Sequence, residues 1–120
     1  MAYKTLSEEE TSIIINKGTE RAFTGEYWNH YEDGTYNCRQ CNTELFDSNT
    51  KFDSFTGWPS FDNTIDGAVK EIVDADGIRI EIVCNTCNGH LGHVFKDEGI
   101  SENNERHCVN SVSLTFAEKV

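Results

Sequence analysis

The cysteines carry the clearest chemistry in this 120-residue chain, and all five fall in three places. Cys38-Arg39-Gln40-Cys41-Asn42 and Cys84-Asn85-Thr86-Cys87-Asn88 are two C-x-x-C-Asn elements. Two intervening residues let one tight turn aim both sulfurs at a single ion, and an asparagine after the second cysteine tolerates the positive φ such a turn tends to require. Four thiolates close a tetrahedral site and leave no position for water or substrate, so a zinc ion held by Cys38, Cys41, Cys84 and Cys87 would be structural. Two disulfides, an iron centre of the same geometry, or one redox-active C-x-x-C of thioredoxin type are the alternatives. Paired C-x-x-C elements in a chain expected in a reducing compartment favour the metal.

Subtracting the quartet leaves Cys108, between Arg106 and Asn110. On a strand the three share a face. A nearby guanidinium favours thiolate over thiol, and an amide can position a polar substrate group. The plain alternative is one more small buried residue on a core face. His90-Leu91-Gly92-His93-Val94-Phe95 sets two of the four histidines three residues apart. In a regular strand His90 and His93 would face opposite sides, so both serve one site only if Gly92 kinks the backbone. Gly57-Trp58-Pro59-Ser60-Phe61 contains the single proline, which keeps Trp58 out of helical conformation. Trp58 and Phe61, with Phe52 or Phe55, form either an aromatic core cluster or an apolar pocket wall suited to a methyl group or thioether.

The elements that must position these groups are mostly strands. Ser7-Glu8-Glu9-Glu10 opens a helix with Ser7 as N-cap and Glu10 reaching back, running to about Lys17, with Gly18 as the left-handed stop. Beyond it, short apolar segments alternate with turn formers, a β pattern. Val69 to Val73 and Ile78 to Val83 form a hairpin through Asp74-Ala75-Asp76-Gly77, with Ile78, Ile80 and Ile82 on one face and a wet face carrying Arg79, Glu81 and Val83. A final strand from His107 to Phe116 puts Cys108, Asn110, Val112, Leu114 and Phe116 on one side.

Composition limits the rest. Lys plus Arg number 10 against 21 Asp plus Glu, a formal charge of −11, which opposes binding to nucleic acid or anionic membranes. Hydrophobic residues are 37%, so the core is small and a metal link is useful. No stretch approaches a membrane span, and Met1-Ala2-Tyr3-Lys4 leads into the polar Ser7 to Thr11 rather than a secretory signal. A single domain over residues 1–120 in the cytoplasm is expected, with 1–17 as its N-terminal helical segment.

Taken in order, these motifs resemble the B-type methionine sulfoxide reductases, which reduce the R epimer of methionine sulfoxide. The resemblance runs from about Gly18 to Phe116 and includes Thr19-Glu20, Phe23-Thr24-Gly25, both cysteine pairs, the Trp58 turn, the His90–Phe95 segment and Arg106-His107-Cys108-Val109-Asn110-Ser111. It implies a mainly β fold: two small antiparallel sheets in a barrel-like core, short N-terminal helices outside, and a four-cysteine zinc site apart from the active site. It also implies Cys108 as nucleophile passing through a sulfenic acid, His93 and His90 as proton sources, Arg106 and Asn110 as supporting groups, and Trp58 against the substrate methyl. His107 stands where the family often has an aromatic residue. Many relatives carry a resolving cysteine before Trp58, where this chain has Ser54-Phe55-Thr56-Gly57. An outside reductant, a small thiol, glutaredoxin or thioredoxin, is therefore implied. The competing reading is a zinc-stabilised binding module without catalysis, which leaves the alignment of Arg106, Cys108 and Asn110 unexplained.

Overall fold

The computed structural model describes residues 5–99 and 101–118. Met1 to Lys4, part of the N-terminal reading, lie outside them. A helix, α1 (Glu8–Ile14), is followed by nine strands: β1 (Gly34–Cys38), β2 (Glu44–Asp47), β3 (Lys51–Phe52), β4 (Ser60–Phe61), β5 (Val69–Val73), β6 (Ile80–Cys84), β7 (His90–Lys96), β8 (Glu105–Val109) and β9 (Leu114–Glu118). They form two antiparallel sheets, β2-β1-β9 and β3-β4-β8-β7-β6-β5, rather than a closed barrel. Tyr36, Phe46, Phe61, Ile82, Leu91, Val94, Val109 and Leu114 form the core.

Helix α1 has the expected capping box: Glu10 N–H donates to Ser7 Oγ at 3.1 Å, and Ser7 N–H to Glu10 Oε1 at 2.8 Å. It is shorter than expected, ending at Ile14, beyond which Ile15 N–H and Asn16 N–H both turn back to the Thr11 carbonyl and the regular ladder is lost. Among the described residues it is the one α-helix, not one of several. The left-handed residue is Lys17 (φ 62°), not Gly18. Gly18 is needed for close approach: a Cβ there would stand 2.8 Å from the Ser12 carbonyl oxygen.

Two strand expectations change. The hairpin forms with Val69 opposite Cys84 and Val73 opposite Ile80, but its second strand begins at Ile80 and its outer face is not wet. Glu81 and Val83 are buried, whereas Ile78 is 85% exposed in the loop. The cause is a covering layer: His90 Nδ1 meets Glu81 Oε2 at 2.7 Å, and Lys17 Nζ meets Oε1 at 3.1 Å. The last strand is broken. Asn110 caps a 3-10 turn over Ser111–Ser113, and the chain passes from the large sheet to the small one, where Leu114 pairs with Cys38. Ser111 and Ser113 are therefore buried, Ser111 Oγ accepting from Tyr27 N–H and Ser113 Oγ donating to the His90 carbonyl.

Candidate active site and metal centre

Strands β1 and β6 end at Cys38 and Cys84 and enter the same turn. Asn42 N–H donates to the Cys38 carbonyl and Asn88 N–H to the Cys84 carbonyl, both at 2.8 Å. Asn42 and Asn88 take φ of 68° and 62°, as the repeated motif predicts. The four sulfurs lie within 4.8 Å of one another, none in a disulfide. Cys38 and Cys87 Sγ are 3.6 Å apart, and Cys41 and Cys84 Sγ 3.5 Å. A tetrahedral ion with metal–sulfur bonds of about 2.3 Å needs S···S edges of about 3.8 Å. The quartet is thus positioned to bind a metal ion. Its charge points the same way: the neighbouring sulfurs and burial push the Cys38 thiol up, while Cys84 is drawn down by the same neighbours. Thiolates this close cannot all ionise alone, and a divalent cation removes the conflict.

The second site is a row across three strands. Cys108 on β8 lies opposite His93 of β7 and opposite Ser60 of β4. One step along, Arg106 faces Phe95, its guanidinium 4.3 Å from the ring centroid. Gly92 lets β7 lie close to β8, for a Cβ there would overlap the Cys108 carbonyl oxygen. Trp58 enters from the turn before β4, held by Val109 N–H donating to the Pro59 carbonyl at 3.0 Å. Its Nε1 donates to the Glu20 carbonyl at 3.0 Å, and Glu20 N–H donates to Asn110 Oδ1 at 2.9 Å. These groups enclose a cavity of about 150 Å³ lined by Thr19, Trp58, His93, Phe95, Cys108 and Asn110, with Arg79 at its edge.

The histidine question is answered by a bulge. Strand β6 steps from Ile82 to Val83 while β7 steps from Gly92 to His90, so Leu91 is an extra residue. The bulge turns His90 and His93 to one side, their rings 5.8 Å apart. They are not equivalent. His93 lines the cavity, whereas His90 is buried behind it on Glu81. Burial lowers the His90 pKa against the upward pull of Glu81, so the neutral ring donates to the carboxylate.

The thiol also differs from expectation. Burial pushes Cys108 up to about 11, and Arg106, although it pulls the other way, does not prevail. The guanidinium is bidentate to Glu98, at 2.9 and 3.2 Å, and Glu20 adds a second carboxylate. At neutral pH the resting site holds a thiol. Burial also raises the Glu20 pKa, although its Oε1 accepts from Val112 N–H at 2.9 Å.

Of the sequence-derived residues, Cys108, His93, Asn110 and Trp58 come together at the cavity, with Arg106 beside it. Phe61 does not reach it. It lies opposite His107, on the other face from Cys108, fully buried and stacked on Phe46 at 4.3 Å. Phe52 pairs with Ser60 but borders a separate groove with Lys51 and Asn103, and Phe55 is 85% exposed. His107 points into the core, its Nδ1 3.0 Å from the Phe61 carbonyl oxygen. Sequence reasoning missed Phe95, although it alternates with His93. It also missed Asp74 and Arg79, which look like turn residues until the hairpin is placed beside His93: Asp74 Oδ2 lies 2.9 Å from His93 Nε2.

Fold and site define a small β-sheet protein with one thiol in a small, largely apolar cavity and a separate four-cysteine clamp. Residues 6–118 match the SelR domain. The chain is 52% identical over 113 residues to peptide methionine sulfoxide reductase B8 of Arabidopsis thaliana, covering 93% of this chain and 79% of that protein. Over 112 residues it is 54% identical to peptide methionine sulfoxide reductase B5 of Oryza sativa subsp. japonica, covering 92% and 82% respectively. The chain belongs to the SelR family of B-type methionine sulfoxide reductases.

Proposed function

We propose that this chain reduces peptide-bound methionine (R)-sulfoxide to methionine with electrons from an external thiol, repairing oxidised proteins in the cytoplasm. The observation that carries this reading is the pairing of Cys108 with His93 across β8 and β7 in an apolar-walled cavity. The substrate methyl and thioether pack on Trp58 and Phe95, and Cys108 attacks the sulfoxide sulfur. His93 supplies a proton to the oxygen, which ends on Cys108 as a sulfenic acid while methionine departs. Asn110 accepts from Glu20 N–H through Oδ1 and donates through Nδ2 to the Leu91 carbonyl at 3.2 Å.

Cys38, Cys41, Cys84 and Cys87 fit one zinc ion, which when bound would fasten β1 to β6 and take no part in the chemistry. With those sulfurs committed, Cys108 has no internal resolving thiol. Thr56 instead props the Trp58 turn, its Oγ1 2.8 Å from Ser54 Oγ, which is itself 2.7 Å from Ser60 Oγ. A small thiol, glutaredoxin or thioredoxin must reduce the sulfenic acid.

The test is a racemic methionine sulfoxide peptide with excess dithiothreitol. Consumption of the R half by wild type, none by Cys108→Ser, and dimedone labelling of Cys108 during turnover are expected. Equal inactivity of wild type and variant would instead favour a zinc-stabilised binding module.

A further inference from the structure

The loop Asp74–Arg79 reaches over the sheet to His93 through a chain of bonded charges. Asp76 Oδ1 accepts from Ile78 N–H and Arg79 N–H, at 2.8 and 3.0 Å, and its Oδ2 accepts from Arg79 Nε at 3.0 Å. Arg79 Nη2 then lies 3.5 Å from Asp74 Oδ2, the atom 2.9 Å from His93 Nε2. His93 Nδ1 has no hydrogen-bond partner among the described residues. The loop thus engages one ring nitrogen of a histidine that lines the cavity and leaves the other unengaged.

We propose that Asp74 is a positioning residue for His93, fixing which ring nitrogen serves the substrate. The inference rests on the reductase reading. The bond from His93 holds the Asp74 carboxyl below its usual range, so the carboxylate needs Nε2–H as donor. Proton transfer then runs through Nδ1. Nδ1 takes the Cys108 thiol proton as the sulfur attacks and passes it to the sulfoxide oxygen. The methionine S–O bond breaks as the Cys108 S–O bond forms, with two electrons moving from cysteine sulfur to methionine sulfur. The product is Cys108 sulfenic acid and methionine.

The charged groups around His93 support the assignment. Glu81 on β6 is occupied by His90 and Lys17, Arg106 on β8 by Glu98, and Glu20 by Val112 N–H. Cys108 is a thiol, and Arg79 stands behind Asp74. Asp74 is the carboxylate that meets the ring.

The test combines kinetics with a readout independent of turnover. In the metal-loaded protein, Asp74→Asn should lower kcat by roughly 10- to 100-fold with KM changed less than about twofold. Asp74→Glu should restore part of the loss. Long-range ¹H–¹⁵N NMR should find His93 protonated at Nε2 in wild type and a mixture of tautomers in Asp74→Asn. An active wild type with an unchanged kcat in Asp74→Asn, or the same His93 tautomer in both proteins, would overturn the role of Asp74 alone. A wild type unable to reduce the sulfoxide would overturn the reductase reading, and this proposal with it.

Discussion

Gly92→Ala tests how the sheet holds the nucleophile. A Cβ at position 92 would overlap the Cys108 carbonyl oxygen and stand 3.0 Å from its carbon and 3.1 Å from Val109 Cα. These are backbone atoms of the adjacent strand and cannot rotate away. β7 must retreat on the order of 1 Å, which costs about 1–3 kcal/mol as overpacking. Strained ladder bonds beside the Gly92–Val109 pair add about 1 kcal/mol each. The expected loss is roughly 2–5 kcal/mol in urea unfolding of the metal-loaded protein. Because His93 and Cys108 are carried by these same strands, kcat/KM should fall about 100-fold even where the variant is fully folded. Gly67→Ala is the control. With φ at 76° and nothing within 4 Å of its Cβ, it should lose only about 1–2 kcal/mol from backbone strain and keep its activity. Should Gly92→Ala unfold within about 0.5 kcal/mol of wild type and turn over normally, the contact between β7 and β8 is not what fixes the site.

Phe61→Ala should cost about 3–5 kcal/mol as a core cavity while leaving KM for a sulfoxide peptide unchanged in the folded fraction. A raised KM would return Phe61 to the substrate wall. A strong chelator should release one metal per chain and abolish the cooperative β unfolding transition; a metal-free chain that still unfolds cooperatively would refute the clamp. Burial lowers the pKa values of His107 and His90, so the unfolded chain takes up their protons first as pH falls below about 6.5. Their stabilisation is complete above that pH and is lost toward acid. His107→Phe should flatten the decline measured by urea unfolding between pH 5 and 7, and an unchanged slope would discount His107.

What the residues disclosed depended on how local the determining contact was. The metal quartet was legible because each C-x-x-C-Asn carries its own turn, down to the positive φ of Asn42 and Asn88. The alignment of Arg106 with Cys108 was legible for the same reason, being strand alternation over three residues. Residues whose orientation depends on a neighbouring strand were not. Phe61 belongs to the core because its partner is His107 rather than Cys108, a matter of register between β4 and β8. His90 and His93 share a side through a bulge measured against β6. The pKa of Cys108 shows the same division: the guanidinium two residues away could be read from the chain, but not its engagement by Glu98 or the burial that outweighs it.

That division also explains why Asp74 escaped notice while His93 did not. A turn aspartate ordinarily serves its own loop, as Asp76 does by accepting from two amides and Arg79. Asp74 acquires its contact with His93 only when the β5–β6 hairpin is laid beside β7 in the observed register, with Glu81 opposite His93. A two-residue slip of β6 against β7 would preserve every apolar face and move this contact about 7 Å along the strand. Hydrophobic alternation alone therefore does not align the hairpin with the site. The Leu91 bulge and the Glu81–His90 bond are what distinguish the observed register from its slipped neighbours.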